Sequence, residues 1–308
     1  MATHSLNKVT LLFRDAFREL QKNDPLRMAG ATAFFTTFAL PPILFILIQV
    51  LGLIFDARTV RTQLFKRLTD IVGKTSTQQL ILTLRSFRGL SNNWFINIVG
   101  FIFLLFVATT LFMIINDSLN QLWKIRVMVK RSIWFSLGNR VRSIFVILIA
   151  GVLFMIGLLT EAIQTFLGKY IDEIRPGTAI YFNGVLSQLV SIVIVTAWFA
   201  FLFHFLPDGK PKWRVTLFGA LITSLLFTAG KLVLRWLLFH SNISKLYGAS
   251  GSIVLLLLFV FYSALILYYG AAFTKVWSEY RGQEITPLRH AVHYQVAEVV
   301  INESKESN

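Results

Sequence analysis

Residues 29–55 read AGATAFFTTFALPPILFILIQVLGLIF, a run from Ala29 to Phe55 without one charged side chain. A helix needs about 20 apolar residues to cross the ~30 Å of hydrocarbon in a bilayer, so this stretch alone predicts a membrane span. Five further stretches of the same character follow, centred on Trp94 to Asn116, Ser143 to Thr160, Asn183 to Leu206, Val215 to Phe239 and Ile253 to Phe273. In hydrocarbon only a helix or a closed barrel satisfies its own backbone, and runs of this length select the helix. The expected fold class is all-α: a polytopic membrane protein with six transmembrane helices plus short amphipathic interfacial helices.

Composition agrees. Of the 308 residues 55% are hydrophobic and 29 are Phe, whereas only 15% are charged, against about a quarter in soluble domains. Mean hydropathy is +0.65. The longest interruption between spans, residues 56–93, is too short for a soluble domain of the usual ~100 residues or more. One membrane domain is therefore expected at 29–280, with 56–93 as an extracytoplasmic helical segment. Residues 1–28 precede it as a cytoplasmic amphipathic helix, and residues 281–308 follow as a cytoplasmic tail expected to be disordered, with Arg281-Gly282 and Pro287 ending helical order and a polar stretch from Glu298 onward. The chain has no cysteine, which excludes disulfides, thiolate metal sites and cysteine nucleophiles. No cleavable signal peptide is expected, because the first apolar run begins only at Ala29, is too long for a signal core and follows Asp15, Glu19 and Asp24.

A net charge of +15 would suit a nucleic-acid partner, but the cations flank the helices, so membrane lipids are the expected contact and nucleic acid is not. Eighteen basic residues fall in the N-terminus, the 117–142 and 207–214 connections and the C-terminus; ten fall in the opposite connections. The positive-inside rule then places both termini in the cytoplasm. Near the start, Leu6, Val9, Phe13, Phe17 and Leu20 share a helical stripe opposite Lys8, Arg14, Arg18 and Lys22. That pattern fits a helix lying on the membrane surface or one docked on the protein's own loops. Asp24-Pro25 marks the next helix start. Within 56–93, Val60, Leu64, Leu68 and Ile71, then Leu80, Leu84 and Phe87, predict two short helices separated near Gly73 to Thr77. They read as solvated connectors or as a lid.

Three features could carry function. Pro41 and Pro42 fall ~18 Å into the first span, where two missing donors are expected to interrupt the helix beside Thr36 and Thr37; broken helices build transporter sites, and proline kinks also serve packing. Lys231 and Arg235 share a face of the fifth span, ~24 and ~30 Å from its cytoplasmic edge, and Glu161 on the third span reaches ~27 Å. Intramembrane charge marks a site unless the side chains snorkel outward, so a Glu161–Lys231 pair with Arg235 open to an anion is the candidate substrate site. Asn116 and Asp117 at the inner end of the second span, with His204 on the fourth, form a candidate inner polar cluster or serve as caps. His290 and His293 are three apart without a carboxylate at helical spacing, so no metal site is assigned, and no cofactor is expected. The chain shows no P-loop, HExxH or nucleophile elbow, and its carboxylates are dispersed, so catalytic residues are not expected and the protein is read as a non-enzyme.

Asp24-Pro25 through AGATAFFTTFALPPIL, the turn LPDGKPKW from Leu206 to Trp213 followed by LFGALITSLLF, and LYGASGSIVLLLLFVFYSALILYYGAAF from Leu246 to Phe273 resemble the YihY/BrkB family of integral membrane proteins, formerly labelled the ribonuclease BN family. The resemblance runs from about Phe13 to Tyr280. It implies a six-helix inner-membrane protein with cytoplasmic termini and supplies no agreed catalytic residues. The expected function is an inner-membrane transporter or translocase of an anionic amphiphile or lipid, without its own ATPase. The alternatives are a cation/proton antiporter using Glu161, Asp117 and His204, and a noncatalytic scaffold for envelope assembly. Oligomeric state is not legible.

Overall fold

Asp24, in a left-handed conformation at φ 52°, separates α1 (Ala2–Gln21) from α2 (Pro25–Leu51), and Pro25 opens α2 where its missing N–H costs nothing. The computed structural model describes residues 2–53, 55–88, 94–128, 133–174, 179–240 and 251–295. After α2 come α3 (Ala57–Val72) and α4 (Lys74–Arg88), divided at Gly73, whose φ of +84° only glycine adopts without strain. The long helices α5 (Trp94–Leu122), α6 (Ile133–Ile174), α7 (Ala179–Phe205), α8 (Trp213–His240) and α9 (Gly251–Tyr280) follow.

Neighbouring helices close a ring: α2 packs on α5 and α9, α9 on α8, α8 on α7, α7 on α6, and α6 on α5. The chain runs up and down around it, so α1, the α5–α6 and α7–α8 connections and the residues after α9 gather at one end, the terminal face. Five helical segments among the described residues are long and apolar enough to cross a membrane: Pro25–Leu51, Arg140–Gly157, Leu186–Phe205, Trp213–Leu234 and Ile253–Tyr280. The remaining apolar stretch forms α5, whose first turns have side chains outside the described residues. Phe34, Phe38, Phe103, Val152, Val193 and Leu232 are among many large apolar side chains left exposed around the ring. Such a belt on a helical bundle faces lipid.

Small residues bring α8 and α9 together. A Cβ on Gly219 would strike Thr274, one on Gly270 would strike Thr223, and one on Gly230 would strike the Tyr262 ring. Close backbone approach of this kind is how membrane helices gain packing where no hydrophobic force separates lipid from protein.

Four expectations are corrected or decided by the structure. The helix is not interrupted at Pro41 and Pro42: α2 continues through both, and both rings are buried. Proline removes donors without forbidding helical φ, and burial against neighbouring helices holds the segment in place. Thr36 and Thr37 donate to Thr32 O at 2.6 Å and Ala33 O at 2.9 Å, one turn back, rather than to the carbonyls the prolines leave open. Second, α1 docks on the protein: Leu12, Ala16 and Leu20 are its buried stripe, Leu12 and Ala16 packed with Phe273 and Leu20 with the main core, while Phe17 is 50% exposed. Third, α3 and α4 are not solvated on all sides, since Leu64, Leu80 and Leu84 pack with Leu44, Ile48 and Leu256. Fourth, the segment after α9 is ordered at least to Gln295, with β3 (Thr286–Pro287) and β4 (Ala291–His293) pairing antiparallel with β2 (Gly209–Lys210) and β1 (Ile125–Val127). The expected disorder at Glu298–Asn308 lies outside the described residues.

Candidate functional site

The turn between α7 and α8 carries Asp208, whose side chain is 2% exposed. Oδ1 accepts from Arg142 Nη1 at 3.0 Å and from His290 Nε2 at 3.1 Å, and Oδ2 accepts from Asn120 Nδ2 at 2.8 Å. The backbone is held as well: Asp208 N–H donates to Asn120 Oδ1 at 2.8 Å, and Leu288 N–H donates to Asp208 O at 2.8 Å. Burial alone would raise the Asp208 carboxyl, but the bond from His290, the charge and bond of Arg142 and the bond from Asn120 together hold it below the usual carboxylate range. One carboxylate thus joins α5, α6, the α7–α8 turn and the segment after α9. Gly209 beside it is required by packing, since a Cβ there would come within 2.9 Å of Ile285 and strike Ile125. With its oxygens committed to protein donors, Asp208 is built to lock this end of the bundle, not to move a proton.

A second polar tie fastens α1. Lys275 Nζ of α9 lies 2.6 Å from Glu19 Oε1, with side-chain exposures of 14% and 15%. Burial would raise Glu19, and Lys275 outweighs it, so Glu19 also lies below its usual range. Tyr269 OH donates to Phe13 O at 3.0 Å, and Lys124 Nζ donates to Asn23 Oδ1 at 2.9 Å.

Beside this tie, α1, the start of α2, α8 and α9 enclose an apolar groove of about 580 Å³. Phe17, Leu20, Leu26, Leu226, Tyr262 and Leu265 are among its walls. Phe17 and Leu26 are 50% and 67% exposed, so the mouth opens sideways, toward where lipid would lie. Arg14 and Arg18 on α1, which forms one wall, and Lys22 just past its end are exposed, the two arginines beside Asp15 and the lysine beside Glu19. An apolar concavity of this kind matches an acyl chain.

The candidate intramembrane charges are only partly described. Lys231 is half-buried in α8 with Nζ 5.4 Å from the Phe227 ring centroid, and Arg67 of α3 is close enough to act on it electrostatically. Glu161 lies in α6 and Arg235 in α8, but both side chains fall outside the described residues. The candidate inner cluster is only partly assembled. Asn116 Oδ1 accepts from Asn120 Nδ2 at 2.5 Å and so joins the Asp208 lock. Asp117 is exposed. His204 stands apart, stacked on Trp213 with ring centroids 4.1 Å apart. His293 bonds Ile285 O at 2.9 Å while His290 serves Asp208, and among the described residues no three His, Asp or Glu side chains gather where a metal could be held. Asp208 itself was missed by sequence reasoning: it sits in the quoted LPDGKPKW turn, but its partners lie 66 and 82 positions away.

A ring of long apolar helices locked at one end defines an integral membrane protein of the helical-bundle class. Residues 16–295 match the family described as virulence factor BrkB, and the chain belongs to that family. Among its curated relatives, a UPF0761 membrane protein of Mannheimia succiniciproducens is 24% identical over 90% of this chain and 92% of its own length. Another from Idiomarina loihiensis is 28% identical over 61% of this chain and 63% of its own length. A third, from Albidiferax ferrireducens, is 27% identical over 82% of this chain and 59% of its own. No solved structure matches.

Proposed function

We propose that the protein is an inner-membrane transporter or translocase of an anionic amphiphile or lipid, with the terminal face in the cytoplasm and without an ATPase of its own. The observation that carries this reading is the laterally open groove of about 580 Å³ walled by α1, α2, α8 and α9. It is the right shape and polarity for an acyl chain. Lys231 supplies a cation further along α8, ~27 Å from Trp213, beyond the middle of the bilayer. Antiport is the less supported reading, because Asp117 is exposed and His204 stacks on Trp213.

The test is reconstitution in liposomes with labelled anionic and zwitterionic lipids. Wild type is expected to move the anionic lipid across the bilayer, and Leu265→Trp, which fills the groove, is expected to slow it at unchanged protein abundance. Proton-coupled cation flux without lipid movement would overturn the proposal, as would an unaffected groove-filled variant.

A further inference from the structure

Where α8 begins and α9 ends, the two helices leave a small notch of about 130 Å³ lined by Arg214, Phe218, Trp277, Arg281 and Gln283. The close Gly219–Thr274 contact draws the helices together just inside it. Arg214 is the second residue of α8 and Arg281 the first after α9, so antiparallel packing places two guanidinium-bearing residues on one rim. Gly282, at φ +59°, then turns the chain back, and Gln283 N–H donates to Ser278 O at 2.8 Å, which brings Gln283 to the same notch. The floor is aromatic: Phe218 and Trp277 stack with centroids 4.4 Å apart, and Arg281 Cζ stands 5.3 Å from the Trp277 centroid.

Among the described residues no carboxylate pairs with Arg214 or Arg281. The two cations therefore share a concave site without a protein counter-ion, where the N-terminus of α8 and the C-terminus of α9 meet and their opposite end charges offset one another. A planar guanidinium matches phosphate oxygens two at a time, and an interfacial tryptophan belongs at headgroup depth. We infer that this notch binds the phosphate headgroup of an anionic glycerophospholipid in the leaflet on the terminal face. It is separate from the groove, with which it shares no lining residue. The site therefore stands whether or not the protein moves lipid.

The experiment is lipid retention by the purified full chain, read by native mass spectrometry from mixed micelles of phosphatidylglycerol and phosphatidylcholine. Wild type is expected to retain phosphatidylglycerol selectively. Arg214→Gln with Arg281→Gln is expected to cut that retention about tenfold or more, the loss of two charge-assisted contacts. The charge-matched control, Lys210→Gln with Lys212→Gln, removes two exposed cations of the same turn outside the notch and is expected to leave retention intact. Arg214→Lys with Arg281→Lys keeps charge without the fork and is expected to fall between. Equal retention by wild type and the Arg-to-Gln pair would overturn the assignment, and so would equal loss in the Lys control. Displacement of the lipid by glycerol 3-phosphate at matching concentration would overturn the lipid source in favour of a soluble phosphate ester. Lipid flipping is measured separately, so its absence with retention intact would defeat the transport proposal and leave the headgroup site standing.

Discussion

The two ends of the helical ring are held by different physics. At the terminal face, directional contacts dominate: the Asp208 lock, the Glu19–Lys275 pair, the Trp123 indole donating to Ala271 O at 3.0 Å, and two short strand pairs. At the other end, α3 and α4 hold to α2 and α9 through Leu64, Leu80 and Leu84 against Leu44, Ile48 and Leu256. Hydrogen-bonded charge tolerates little displacement, whereas aliphatic side chains can slide against one another and stay in contact. The difference assigns rigidity to one end and adaptability to the other.

The largest expected effect tests the lock. Asp208→Ala leaves Arg142 without its acid and should cost about 3 kcal/mol, the scale for stripping one partner from a buried pair. A thermal melt in detergent should show this as the deepest drop in the series, and a stable variant would mean the two ends are held alike. Next, Gly270→Ala forces a methyl to within 2.8 Å of Thr223 Cβ and should cost about 2 kcal/mol by overpacking the α8–α9 seam. Smaller still, Leu84→Ala should cost about 1–2 kcal/mol, at or below the low end of core values because its neighbours can close the space. Hydrogen exchange should then quicken in α3 and α4 and leave β1 and β4 unchanged. Faster exchange at both ends would show that they are coupled.

Acid sharpens the same contrast. Asp208 is held below the ordinary aspartate value of about 3.9, so its contribution is complete above that pH and is lost as pH falls through the lowered folded value. Glu19 carries the same sign. The melting temperature should therefore be flat with respect to these two groups from pH 5 to 8 and fall below about pH 4. Asp208→Asn should flatten part of that acid limb. A fall already complete at pH 6 would place the responsible group elsewhere.

Apolar periodicity made the long helices legible, because lipid imposes one solution on a run such as residues 29–55. The helix start at Asp24-Pro25 and the division at Gly73 were also readable, each set by the backbone freedom of one or two residues. The prolines misled: Pro41 and Pro42 record two absent donors, and a buried helix continues through them when its neighbours hold it. The docked face of α1 was misread by one position, since Phe17 fits the apolar stripe as well as Ala16 does and only the surface of α9 selects between them. The Asp208 lock was not legible, for Asn120, Arg142 and His290 are ordinary polar residues until the ring brings them to one carboxylate. The notch was hidden for the same reason, as Arg214 and Arg281 are 67 positions apart and meet only through antiparallel packing.

The strand pair β1–β4 also sets an order of events during synthesis. Residues 125–127 emerge long before residues 291–293, and Asp208 waits a further 82 residues for His290. Each long helix can enter the membrane as it is made, but the bundle is fastened only when the segment after α9 arrives. A nascent chain stalled before His290 lacks both the β1–β4 pair and the His290 contact to Asp208, so its helices are in place before that latch can form.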